Sequence, residues 1–152
     1  MISQLKSLIP GAQHWPSFER NLSEQFEARL VNVKILPSPS ILFTGMAGAV
    51  LPVVNAHGEG RAFWANPADE ELAIPVACYV DETQNPTEIY PLNPNGSRLG
   101  RTSFTTTDGR ATIIMPHPER SWRSVQLSWR SPLLRDVSPW ARIFQNARVW
   151  LG

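Results

Sequence analysis

Two side chains two residues apart carry the clearest chemistry in this sequence. In Ile113-Ile114-Met115-Pro116-His117-Pro118-Glu119-Arg120 an apolar run ends in Pro-His-Pro-Glu. Extended backbone points residues i and i+2 to the same side. The flanking prolines hold their neighbours in extended or turn conformations and oppose a helix there. The spacing therefore predicts that His117 and Glu119 stand together at a strand end, where α/β folds place their ligands. A carboxylate beside an imidazole fixes its tautomer and stabilises its protonated form, which readies the ring to take a proton from a nucleophile. His-x-Glu by itself is a short motif, and its meaning depends on its surroundings.

A second segment, Asn55-Ala56-His57-Gly58-Glu59-Gly60-Arg61, sets a His and a Glu among glycines. Such glycines permit close backbone approach to a ligand, or serve only the geometry of a hairpin turn. On spacing alone the turn is favoured. A zinc site built from His57, His117 and a glutamate would need three ligands. No two histidines lie at i, i+4 and nothing marks a third ligand, so no metal is expected. The single cysteine, Cys78, excludes an internal disulfide and any multi-cysteine zinc site. It falls in an apolar strand candidate and reads as a buried, inert thiol. Residues 93–97, Asn-Pro-Asn-Gly-Ser, read as a turn between strands rather than a substrate loop. No P-loop is present, and Gly45-x-x-Gly48 is too short for a phosphate fingerprint.

Short strands and one clear helix must position these residues. Ile2, Leu5, Leu8 and Ile9 share a helical face, and Gly11 follows as a stop signal. Phe26, Ala28 and Leu30 alternate with charged residues, then Val31, Val33 and Ile35 alternate out of phase, which predicts a bulge or twist in one long strand. Further strand candidates are 41–43, 51–54, 75–80 and 88–90. Asp108-Gly109 between 102–106 and 111–115 is the strongest hairpin signal. Ser138 as N-cap and Pro139 at the first helical position open a C-terminal helix, with Trp140, Ile143, Phe144, Ala147 and Trp150 at helical spacing.

With 152 residues, the chain suits one domain, and 42% apolar against 18% charged residues excludes disorder. The pattern is that of one α/β unit over residues 1–152. A net charge of +1 offers no basic excess for nucleic acid. No apolar run approaches the roughly 20 residues that cross a bilayer. The first ten residues lack the features of a secretory signal, so a cytoplasmic protein is expected.

Together these segments form a longer pattern. It runs through Gly11-Ala12-Gln13-His14-Trp15-Pro16, Arg20-Asn21-x-Ser23-Glu24-Gln25-Phe26-Glu27-Ala28-Arg29 and Gly45-Met46-Ala47-Gly48. It continues with Ala56-His57-Gly58-Glu59-Gly60-Arg61, Tyr90-Pro91-x-Asn93-Pro94-Asn95-Gly96-Ser97 and Thr106-Thr107-Asp108-Gly109-Arg110. It closes with Met115-Pro116-His117-Pro118-Glu119-Arg120, Ser128-Trp129, Ser138-Pro139-Trp140 and Asn146-Ala147-Arg148. This pattern closely resembles the C-terminal part of the large, single-chain phosphoribosylformylglycinamidine synthases of purine biosynthesis. The run from Ala56 to Arg61 is particularly specific to that family.

The resemblance implies a class I, triad-type glutamine amidotransferase fold, flavodoxin-like, with parallel strands covered on both faces. In that class a cysteine attacks glutamine, a histidine moves the protons and a glutamate orients the histidine. The resemblance places the last two roles on His117 and Glu119. It sets His57, Gly58 and Glu59 beside bound glutamine. It also implies that the first residues follow the nucleophile turn, so that the initial strands and the cysteine are not in this chain. Three expectations follow: no useful glutaminase activity for the chain alone, partners among the remaining synthase domains, and self-association through the uncovered edge and apolar surface. ATP and magnesium belong to other domains of the family, and no cofactor is expected in this chain. The alternative is a non-catalytic structural remnant that docks with a separate N-terminal part.

Overall fold

The computed structural model describes residues 2–128, 130, 132 and 136–152. Trp129, part of the Ser-Trp segment of the family pattern, lies outside the described residues.

The fold is mixed α/β. Among the described residues seven strands form two sheets. β1 (Ser17–Arg20) pairs with β4 (Glu59–Phe63), and a five-stranded sheet has the order β3-β2-β5-β6-β7. Its members are β2 (Glu27–Ile35), β3 (Val50–His57), β5 (Ile74–Tyr79), β6 (Arg101–Thr105) and β7 (Thr112–Ile114). Every pairing between these described strands is antiparallel. The parallel strands implied by the family resemblance are therefore not what this part of the fold contains. Of the paired strands only β6 and β7 are joined by a short turn, the kind of link that antiparallel neighbours allow and parallel ones do not; β2 and β5 pair although β3 and β4 lie between them in the chain.

β2 contains no bulge. It pairs with β3 in unbroken register from Glu27↔His57 to Lys34↔Val50. Val31, Val33 and Ile35 are buried on one face, and Glu27 lies on that same face at 1% exposure. The apparent phase change arises because the inward positions 27 and 29 carry charge, while Phe26 and Leu30 point to solvent, 68% and 39% exposed. Period-2 geometry held, and polarity was the misleading signal.

The Asp108-Gly109 hairpin forms as expected. Asp108 accepts hydrogen bonds from Thr106 Oγ1 and the Arg110 amide, and Gly109 takes φ +70°. Residues 88–90 form no strand, and 41–43 is a 3-10 turn (Ile41–Phe43). A short helix that the sequence reading missed, α1 (Pro67–Leu72), has its signal in plain view. Asn66 caps it by accepting from the Ala68 amide, and Pro67 opens the first turn. Ile2–Leu8 is a 3-10 helix broken at Leu5 rather than an α-helix. It has no acidic residue in its first turn, and its apolar face stays exposed, Leu8 at 75%.

The C-terminal helix, α2 (Ala141–Leu151), begins two residues later than the sequence suggests. Ser138 still caps the leading turn, because its Oγ accepts from the Trp140 amide. α2 seals one face of the sheet. Trp140 and Ile143 pack among Val33, Ile35, Val53 and Phe43. Trp140 Nε1 donates to the Pro52 carbonyl at 2.7 Å, and Asn146 Nδ2 donates to the carbonyls of Leu42 and Thr44 at 2.9 Å. A second cluster on Trp15, Phe104 and Ile113 ties the two sheets together. Among the described residues no helix is long and apolar enough to cross a membrane.

Trp140→Phe keeps most of the ring packing but removes the indole donor and leaves the Pro52 carbonyl without it. The expected cost is about 1–2 kcal/mol, seen as a lower urea midpoint with an unchanged slope. An unchanged midpoint would show that this bond does not anchor α2.

Candidate active site

His117 follows β7 by three residues. Its amide donates to the Val54 carbonyl at 2.7 Å, which ties the segment to β3. Pro118–Arg120 then turns as a 3-10 helix, and the Arg120 amide returns to the His117 carbonyl at 3.1 Å. The sequence reading expected extended backbone here. Proline at the first position of the turn instead folds the chain back, and the turn brings Glu119 to the imidazole. His117 Nδ1 and Glu119 Oε1 lie 2.7 Å apart. The carboxylate engages Nδ1, so Nε2 is the nitrogen left to meet a nucleophile. The His117 side chain is 27% exposed and that of Glu119 54% exposed, so the pair is open at the surface. Beside it runs an apolar groove of about 520 Å³, lined by Glu119, Trp122, Val137, Ala141, Phe144 and Gln145.

His57 ends β3 at the point where the chain leaves the large sheet for β4. Gly60 is required beneath its ring, since a methyl at position 60 would lie 2.1 Å from His57 Cε1. Buried side chains hold this corner. Asn21 Nδ2 donates to the His57 carbonyl, and Asn21 Oδ1 accepts from the Gly60 amide. The Asn21 amide donates to the Gly58 carbonyl at 2.9 Å. Asn95 Nδ2 donates to the Gly60 carbonyl at 2.8 Å, and the Ala62 amide donates to Ser97 Oγ. The 93–97 segment is thus a turn in backbone, and its side chains lock the corner. Glu59, by contrast, is exposed at the start of β4.

The structure brings His117 and Glu119 into contact and sets His57 within electrostatic reach of His117. Burial chiefly, and then the charge of His117, lowers the His57 pKa from 6.5 to about 4. His57 is therefore a neutral ring at neutral pH. Cys78 is buried at 1% on β5, where burial raises its thiol pKa; it cannot serve as a reactive thiolate. No three His, Cys, Asp or Glu side chains gather as a metal cluster among the described residues.

Sequence reasoning missed the inward polar residues of the adjoining strands. Glu27 and Asn55 are 1% and 0% exposed, and Tyr79, fully buried, donates its hydroxyl to Asn55 Oδ1 at 2.9 Å. The available signal was a charged residue at an inward position of β2.

The lowered pKa makes a signed prediction. As pH falls, the unfolded chain protonates His57 first, near 6.5, while the folded chain resists to about 4. His57 therefore contributes fully above about 6.5, and its contribution is lost between there and about 4, on the order of 3 kcal/mol at most. His57→Gln should flatten the stability–pH curve in that window when unfolding is measured in urea at several pH values. Parallel curves for the two proteins would assign the acid sensitivity elsewhere.

Comparison with known proteins bears on the fold and the family. The chain resembles the structure of PurLQS from Thermotoga maritima, with a TM-score of 0.67 and 19% identity, over 90% of this chain and 53% of that one. It thus spans about half the length of the chain it matches, and at that identity the likeness is one of fold. Residues 1–151 match the family described as CobB/CobQ-like glutamine amidotransferase domain. Since that match takes in nearly the whole sequence, the chain belongs to the CobB/CobQ-like glutamine amidotransferase domain family.

Proposed function

We propose that this chain is the proton-transfer part of the glutaminase site of a phosphoribosylformylglycinamidine synthase. In this reading the parent enzyme is cytoplasmic, and its ammonia serves purine biosynthesis. One observation carries the proposal: Glu119 holds His117 through Nδ1 and leaves Nε2 for a nucleophile. Family membership and the resemblance of the Ala56 to Arg61 run support it. The structural likeness to PurLQS agrees with it.

The chemistry follows from the pair. A cysteine thiol gives its proton to His117 Nε2, and its sulfur attacks the glutamine amide carbon. The tetrahedral adduct collapses as the C–N bond breaks. The imidazolium returns the proton to the departing nitrogen, releasing ammonia and leaving a thioester. Water, deprotonated by the same ring, then hydrolyses the thioester to glutamate. Glu119 keeps the ring in one tautomer and offsets its positive charge. His57, Gly58 and Glu59 flank the glutamine in this reading, with backbone groups mattering more than side chains.

The nucleophile must come from outside these 152 residues, because Cys78 is buried. A segment that delivers it has a natural seat. Among the described strands β7 is at the edge of the five-stranded sheet, and His117 follows it by three residues. A strand paired along β7 would end near the imidazole. ATP and magnesium would act in other domains of the synthase. The second reading, a non-catalytic docking fragment, differs only in whether such a segment is ever supplied.

Two measurements test the proposal. The chain alone should release no ammonia from glutamine, and mixing it with a separately made cysteine-bearing N-terminal part should restore release. His117→Ala should then lower the restored rate by roughly 10⁴- to 10⁶-fold. Ammonia release by the lone chain at the rate of an intact amidotransferase, abolished by His117→Ala, would overturn it. Light scattering should also show a dimer or larger assembly that covers the β7 edge and the apolar face of Ile2–Leu8. A monomer at high concentration would count against that part of the reading.

A further inference from the structure

Buried polar atoms without partners are scarce in folded proteins, and a cluster of them marks work to be done. Here five such atoms gather on two neighbouring register pairs of the β2–β3 ladder, Glu27↔His57 and Arg29↔Asn55. They are Glu27 Oε1, Arg29 Nε, Asn55 Nδ2 and both ring nitrogens of His57. Glu27 is 1% exposed, Asn55 0% and His57 8%.

The donors and acceptors do not balance at random. Arg29 Nη2 already donates to Glu27 Oε2, which fixes the carboxylate and leaves Oε1 over. The same nitrogen, Arg29 Nη2, also donates to the Tyr90 hydroxyl at 2.8 Å, so the guanidinium is held between Glu27 and Tyr90. Asn55 Oδ1 is taken by the Tyr79 hydroxyl. A neutral imidazole has one N–H to give and one lone pair to offer. Across a directly opposed antiparallel pair the Cβ atoms are only about 4.5–5.5 Å apart, well within reach of a Glu and a His side chain.

We propose that Glu27 is the positioning residue of His57, its unpaired oxygen taking the His57 N–H and fixing which ring nitrogen is left as an acceptor within the corner that flanks the glutamine. That purpose rests on the glutaminase reading above; the pairing itself does not. The site would then hold two carboxylate–imidazole pairs of opposite character. Glu119–His117 is open at the surface. Glu27–His57 is buried, and its ring stays neutral while serving as a fixed acceptor. The charged groups acting on His57 are Glu27, from β2, and His117, from the segment after β7, with opposite signs.

Nitrogen-15 NMR of the chain's histidine rings tests the pairing directly. In the wild-type chain at pH 7, His57 should show a single neutral tautomer. Glu27→Gln, which keeps the shape and can present either an oxygen or an amide hydrogen, should give a mixture of tautomers, and His57 should titrate at lower pH. His117 should keep its own tautomer in both proteins. If Glu27→Gln fails to fold, Glu27→Asp, whose shorter side chain draws the carboxylate back from the ring, takes its place, and a mixture of tautomers is again expected. An equal mixture of tautomers for wild-type His57, or the same single tautomer in wild type and Glu27→Gln, overturns the proposal. A fixed tautomer that depends on Glu27, in a chain that no cysteine-bearing part can activate, upholds the pairing and removes only the glutaminase reading.

Discussion

β2 and β3 run against each other without a break, and the register of that pairing decides what every nearby side chain can reach. It sets Glu27 opposite His57 and Arg29 opposite Asn55. It leaves the Val54 carbonyl free to receive the amide of His117. A slip of one residue would turn Val31, Val33 and Ile35 to solvent along with the polar residues. The apolar core and the polar site are therefore specified by the same ladder. Neither can be altered without the other, because inward positions nearest the corner carry charge while those further along carry aliphatic groups.

This shared ladder also explains why the site is built from buried asparagines rather than from a flexible loop. Where the chain passes from β3 to β4 it leaves one sheet and joins another, and its backbone groups lose their ladder partners. Asn21 and Asn95 supply replacements to His57, Gly58 and Gly60. Each such bond adds only about a kcal/mol when formed but costs more when broken in a buried place. The corner is stiff for that reason, and the ring of His57 sits close against a glycine that has no side chain to displace it.

Much of this was legible in the residues, and the rest was not for identifiable reasons. The His117–Glu119 pair, the Asp108-Gly109 hairpin and the last helix follow from local rules: spacing, turn chemistry and capping. The backbone that joins His117 to Glu119 did not follow, because proline suits both an extended strand and the first position of a tight turn. The apparent bulge in β2 was an error of polarity. Charged residues were assigned to the outside, yet Glu27 and Arg29 neutralise each other within the fold. The sheet's antiparallel character and the roles of Asn21, Asn95 and Tyr79 depend on contacts distant in sequence, which no window of a dozen residues contains.

The bond between Trp140 and Pro52 joins residues 88 apart in the chain. A ribosome makes β3 long before it makes α2. Through that interval the aliphatic face of β2 and β3 has no helix to lie against, although the strands themselves can already pair. Nascent chains at this stage present a half-built layer to chaperones and to one another. Closure of the core is thus an event timed by translation of a segment that contributes no residue to either histidine pair.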